Sequence, residues 1–339
     1  MMKLAPIFFK RNRVGRVYTG GRLFHGFFGD ADADGFFPEE WIASSVRALN
    51  ENAASEREGV SVIAETGEYF DSLIARAPVS MLGSQGRMRI LVKILDSAVR
   101  LPAQAHPDKA FSRKHFASDY GKTEAWIVLD KRENARIYFG FKDGVDRSAF
   151  VSAIDESESD KNAMERLMVP LTPEVGDVFL VPARTVHAIG AGCLILEVQE
   201  PTDFTIQPEH WCDEYRLSDR EMYLGLSRED ALGCFDFGKA PVARRASRVE
   251  NASHGVTVER LIDDTDTDCF VINRIKLDGG EYRLSLPDSY GVYIVTKGTG
   301  SLLGDGYAHA LKKGDYFFMP ATLMNLYTVT GRLEIVECC

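Results

Sequence analysis

Apolar residues along the chain fall into short runs with the period of β-strands, interrupted by a few amphipathic stretches with the period of helices. RMRILVKILD, with its core at 88–96, is a continuous apolar run holding one lysine, the pattern of a strand buried on both faces. EAWIVLD (124–130) and ARIYFGF (135–141) are rich in aromatic and branched residues, and DKREN between them predicts a hairpin turn. DVFLVPA (177–183) and CLILEVQE (193–200) predict a second pair of strands, separated by Gly190 and Gly192. HPDKAFSRKHF predicts a helix that starts near Pro107 and Asp108, residues suited to a first turn. EYFDSLIARAP (68–78), two short pieces within 146–167, and SREDALGCF with Ser227 and Asp230 at capping-box spacing predict further short helices. From Cys269 to the end the pattern is all β.

After residue 238 the composition changes. GKAPVARRASRVENAS is polar and basic and lacks large apolar residues, so 239–252 reads as a linker between 1–238 and 253–339. Its Arg244, Arg245 and Arg248 read as a solvated connector rather than a binding patch.

A repeat crosses that boundary. GDVFLVPARTVH (176–187) and GDYFFMPATLMN (314–325) align without a gap at an offset of 138 residues, matching Gly176 with Gly314, Asp177 with Asp315 and Pro182 with Pro320. Each copy is a Gly-Asp turn, an apolar strand and a proline turn; the first ends in His187 and the second in Asn325. This pattern resembles the second sequence motif of the cupins, small jelly-roll β-barrels. The expected fold is therefore mainly β: two cupin barrels with a few short helices inserted, a metal-binding one within 1–238 and a ligand-free one within 253–339.

Composition adds exclusions. The 339 residues carry a formal net charge of −10, which repels phosphodiester backbones and disfavours nucleic acid as a partner. No apolar run reaches the ~20 residues that span a bilayer, and the N-terminal segment does not read as a secretory signal. The six cysteines form no CxxC pair and read as reduced thiols of a cytoplasmic protein.

Four residues in the cupin-like motifs have the chemistry of metal ligands. Gln104 and His106, two apart, share one face of an extended segment. Glu124 opens the next strand and His187 ends the first repeat copy. Two imidazoles, a carboxylate and an amide oxygen suit zinc with an open position, while iron, manganese and cobalt stay open. His25, His115, His210, His254 and His309 lack such a context and read as surface or structural residues.

Taken together, LVKILD, QAHPD, GKTEAW, GDVFLVPARTVHAIGAG and LEVQEPTD resemble the zinc-dependent type I mannose-6-phosphate isomerases in their shorter bacterial form. The resemblance is strong over about 88–205, weaker over 5–50 and weakest in the C-terminal part. It implies an aldose–ketose isomerase that moves a proton between C1 and C2 of a sugar phosphate through an enediol, with mannose 6-phosphate and fructose 6-phosphate as the default pair. It also implies that Gln104, His106, Glu124 and His187 bind zinc, that Lys122 takes part in proton transfer, that Lys93 lies near the substrate phosphate, and that Asp203 lies at the edge of the site. A dication beside Lys122 is expected to lower its pKa. Two positions depart from the family: Gln207 stands where an arginine is usual, and Pro102 where a serine is frequent. Arg184, three residues before His187, is a candidate replacement for the missing cation. The departures keep two alternatives in view, an isomerase of a different sugar or sugar phosphate and a non-catalytic sugar-binding regulatory cupin. A homodimer is one assembly the sequence leaves open.

Overall fold

A computed structural model describes residues 4–51, 53–238 and 245–339. Ten strands precede residue 200: β1 (Ile7–Phe8), β2 (Arg13–Val14), β3 (Glu39–Ile42), β4 (Leu91–Ser97), β5 (Glu124–Lys131), β6 (Ile137–Phe141), β7 (Met168–Leu171), β8 (Val178–Val181), β9 (His187–Ile189) and β10 (Cys193–Gln199). Six of them form one antiparallel sheet in the order β2-β3-β4-β10-β5-β8, and three form a second, β7-β6-β9.

The two faces of the six-stranded sheet have different partners, and this explains the continuous apolar runs. Alternate residues Leu95, Val128, Phe179 and Ile195 face Ile137, Phe139 and Ile189 of the smaller sheet. Their neighbours Val92, Ile94, Ile127, Leu194 and Leu196 face away and pack with Ile262, Ile272, Val292, Ile294 and Val336 of the C-terminal part. Both faces are dry, so no polar alternation is left in β4 or β10.

The C-terminal part supplies seven strands of an eight-stranded antiparallel sheet, the longest being Ile272–Arg283, Gly291–Gly304 and Thr328–Cys338. The fold is mainly β with few short helices, as expected. Helix Lys109–Phe116 is capped by Asp108, whose side chain accepts from the Phe111 N–H, and helix Arg228–Leu232 by Ser227, which accepts from the Asp230 N–H.

Four expectations change. DKREN does not close a hairpin: β5 pairs with β10 and β8, and β6 with β7 and β9. The turn instead gives its Arg132 N–H to the Gly192 carbonyl at 2.7 Å, so the chain crosses between sheets there. Strands β8 and β10 are likewise not partners, because β5 lies between them. The expected first domain is not self-contained, since β1 pairs with Tyr316–Met319 of the C-terminal sheet. Finally, part of the expected linker is a strand: Arg248–Ser253 pairs with Val256–Ile262 through a turn in which His254 and Gly255 both have positive φ, the geometry of a two-residue hairpin. All six strand residues are exposed, which removes the apolar signal. Residues 239–244 of that linker, including Arg244, lie outside the described residues; Arg245 pairs with Asp266, and Arg248 with Asp263 and Asp266.

Candidate metal and acid–base site

Three segments carry the site. Segment 104–106 is extended and pairs with two others: Gln104 exchanges both backbone hydrogen bonds with His187 at 2.9 Å, and Ala105 bridges to Ile206. A directly opposed pair puts the Gln104 and His187 side chains next to each other on one face. Glu124 enters as the first residue of β5. The turn after β8 delivers His187, and it is tight enough to force Arg184 to a φ of +69°, a conformation that favours glycine.

His106, Glu124 and His187 converge, their ligand atoms all lying within 4.8 Å of one another and all three side chains buried. Each imidazole has its Nδ1 against a backbone carbonyl, His106 on Phe204 and His187 on Thr185, both at 2.9 Å. Nδ1 therefore carries the proton and donates, which leaves each Nε2 as a lone pair aimed inward. Those lone pairs lie 3.2 Å from Glu124, His106 on Oε2 and His187 on Oε1. Burial and the charge of Lys122 push the His106 pKa down to about 3, so the imidazole is neutral at physiological pH. Nε2 of His187 is buried without a hydrogen-bond partner. The His187 lone pair faces a Glu124 oxygen with no proton between them, a contact that repels unless a cation lies there, so the donor set fits a divalent metal.

Lys122 lies against this cluster. Its ammonium donates to His106 Nε2 at 2.8 Å and Glu124 Oε2 at 2.9 Å, and Glu197 Oε1 is 3.6 Å away. Burial works against the charge, but Glu124 and Glu197 outweigh it and the lysine pKa is raised. The protein's own groups thus push opposite to the lowering expected beside a dication. Glu197 is pushed up to about 8, by burial first and the nearby Glu124 charge second.

Lys93 and Asp203 belong to a second cluster in the same interior. The Lys93 ammonium is buried 3.6 Å from Asp203, 3.8 Å from Glu39 and 4.7 Å from the centre of the Trp41 ring. Arg16, half-buried, bonds Glu39 and Asp203, each at 2.9 Å. Tyr18 and Trp41 also donate to Glu39. Asp203 accepts the Leu49 N–H at 2.8 Å, which ties the segment near 49 to the segment after β10.

The other two expected catalytic residues are not brought in. Gln207 donates to the Glu221 carbonyl at 3.3 Å, toward a neighbouring helix. The Arg184 guanidinium bonds the carbonyls of Gly233 and Cys234 and lies 3.6 Å from Asp108. Only its backbone serves the site, its N–H donating to the His106 carbonyl at 2.7 Å. The positive φ turns the side chain outward, so neither residue replaces a cation at the cluster. Sequence reasoning missed Glu197, Arg16 and Glu39. A charged residue inside the apolar run CLILEVQE was the available signal for Glu197, as Lys93 is in LVKIL.

No family model matches the chain. Among characterised proteins, the chain is similar to the mannose-6-phosphate isomerase ManA of Bacillus subtilis (strain 168), 29% identical over 243 residues that cover 69% of this chain and 70% of that protein. A mannose-6-phosphate isomerase of Streptococcus mutans is 27% identical over 338 residues, 98% of this chain and 97% of that protein. Among solved structures, the mannose 6-phosphate isomerase of Bacillus subtilis superposes with a TM-score of 0.79 at 22% identity, covering 99% and 100% of the two chains. The apo form of the Salmonella typhimurium enzyme superposes at 0.69 with 14% identity, covering 99% of each.

Proposed function

We infer that this chain, a member of the type I mannose-6-phosphate isomerase family, is a metal-dependent aldose–ketose isomerase of a sugar phosphate, with mannose 6-phosphate and fructose 6-phosphate as its substrate pair. The observation that carries the reading is the convergence of two inward Nε2 lone pairs and both Glu124 oxygens beside a buried lysine. His106, Glu124 and His187 would hold the metal, zinc by their N/O chemistry, with Gln104 adjacent to complete the set. A divalent cation bound there polarises the sugar oxygens and stabilises the charge of an enediol.

The chain's own groups supply the proton chemistry. Lys122 holds its proton at Nζ, and Glu197 Oε1 stands 3.6 Å away with a pKa near the working pH. That pair can accept a proton from one sugar carbon and return it to the next. Lys93 and Arg16 are the cations of the second cluster. Lys93 is our candidate for the substrate phosphate, and Asp203 and Glu39 hold both cations in place until it arrives. Burial of the whole row keeps bulk water from the enediol. The six cysteines are unpaired, which suits the cytosol as the compartment we propose.

The test is to incubate metal-quantified protein with mannose 6-phosphate and follow fructose 6-phosphate, with and without chelator. Chelator-sensitive turnover is the expected result. Stoichiometric metal without turnover would redirect the reading to another sugar, and absence of metal would overturn the ligand set.

A further inference from the structure

A cavity of about 460 Å³ shares no lining residue with the metal cluster. Its size falls within the ~300–1,000 Å³ of small-ligand sites. Its walls come from the loop before β4, helix Lys109–Phe116, Tyr120 and the start of the C-terminal part. Four cations line it: Arg87, Arg89, Lys109 and Arg113. Two already have carboxylates, Lys109 with Asp268 at 2.9 Å and Arg113 with Asp119 at 3.3 Å. Arg87 and Arg89 have no carboxylate partner among the described residues. Arg87 lies 5.6 Å from the Tyr120 ring centre, and the Arg89 guanidinium reaches only the Ser289 hydroxyl, at 3.5 Å. The tyrosine hydroxyl is tied to the Met88 carbonyl, between the two arginines, at 2.9 Å, which holds the ring at the cavity wall.

The remaining anion in the wall, Glu200, is already satisfied. It is buried, and its two oxygens accept the N–H groups of Gly121 and Thr123 at 3.2 and 3.0 Å, the residues on either side of Lys122. The cavity therefore presents two forked, unpaired guanidinium groups and two further cations held only by exposed carboxylates. A tetrahedral dianion answers that geometry best, since each arginine can give it paired N–H bonds.

We propose that this cavity is a second anion site, distinct from the isomerase centre, that binds a small phosphate-bearing molecule through Arg87 and Arg89. The occupant displaces Asp268 and Asp119 from Lys109 and Arg113.

Equilibrium dialysis of the metal-loaded, full-length protein against labelled inorganic phosphate tests this. The Arg87→Ser/Arg89→Ser double variant should weaken one class of bound phosphate by about tenfold or more, the loss of at least one charge-assisted hydrogen bond. Lys93→Met should leave that class intact. Unchanged phosphate binding in the double variant would overturn the proposal. So would loss of the same class in Lys93→Met, because the phosphate would then belong to the isomerase centre. If the double variant fails to fold, Arg87→Glu carries the test, since Arg87 is exposed and touches only the face of the Tyr120 ring among the described residues. Displacement by sorbitol 6-phosphate at lower concentration than by unlabelled phosphate would identify a sugar phosphate as the occupant, and equal displacement would identify free phosphate; both support the site.

Discussion

The two halves of the molecule are built on the same turn and strand but hold opposite kinds of interior. In both, an aspartate after glycine accepts a backbone N–H three residues back at 2.8 Å, Asp177 from Glu174 and Asp315 from Lys312. In both, the glycine donates to a valine carbonyl of the neighbouring strand, Gly176 to Val128 at 2.8 Å and Gly314 to Val295 at 2.9 Å. The correspondence extends across the sheets. Lys93, Glu197, Trp126 and Phe179 form a directly paired row in the first half, and Asn273, Glu337, Tyr293 and Phe317 form the equivalent row in the second.

The rows differ in what surrounds their carboxylate. Glu197 lies between Lys122 and the Glu124 charge, whereas Glu337 accepts from the Asn273 amide and the Tyr293 hydroxyl, each at 2.8 Å, and meets no lysine. Tyr293 stacks on Phe317 at 5.0 Å, and Leu302, Met319, Val329 and Leu333 fill the rest. The proline turn of the second half ends in Asn325 at a φ of +67°, bonded to the Leu284 carbonyl, where the first half begins β9 with His187. The same Gly-Asp turn and strand register thus support either a charged centre or a packed core; a few inward side chains decide between them.

The sharpest way to break the comparison is to make the first half copy the second. His187→Asn should abolish stoichiometric metal binding and lower turnover by about 10³-fold, because a metal supplies several kcal/mol of transition-state stabilisation. Metal retention in this variant, measured by elemental analysis, would sink the ligand assignment. Glu197→Gln should keep its metal and lose about 10²-fold in kcat with little change in KM. Glu337→Gln, at the equivalent position, should leave both unchanged.

The carboxylates also give opposite pH dependence to stability. Burial opposes the Glu39 charge, but Arg16 and Lys93 outweigh it and hold the pKa well below the usual carboxylate range. Its unfolded form binds the proton more readily, so its contribution is present above the ordinary carboxylate pKa and is lost as pH falls toward the folded value. Burial raises Glu337 instead, so the folded state binds the proton more readily and stability falls as pH rises through that window. Thermal melts should therefore show Glu39→Gln costing most near neutrality and Glu337→Gln costing most in acid. A Glu39→Gln cost that is flat with pH would show that packing, not charge, sets its effect.

The smallest effect is expected at Arg184. Arg184→Gly should relieve about 1–2 kcal/mol of left-handed strain while losing the contacts to Gly233, Cys234 and Asp108, leaving stability near its starting value. Turnover should stay within about twofold, as for a side chain that meets no substrate. A fall of 10²-fold or more would show that the Arg184 side chain takes part in the reaction.

What the sequence determined by itself is what short range controls. The Gly-Asp turns, the caps at Asp108 and Ser227, and the apolar strands depend on contacts within a few residues, so their patterns were legible without the fold. His106, Glu124 and His187 were legible because each lies inside such a local motif. The fold alone decided the rest. Arg16, Glu39, Lys93, Glu197 and Asp203 come from five separate segments, and only strand register and the dry faces on both sides of one sheet bring their charges together. The exposed strand at 248–253 was hidden for the converse reason: its backbone finds a partner while its side chains bury nothing, and apolar periodicity records only burial.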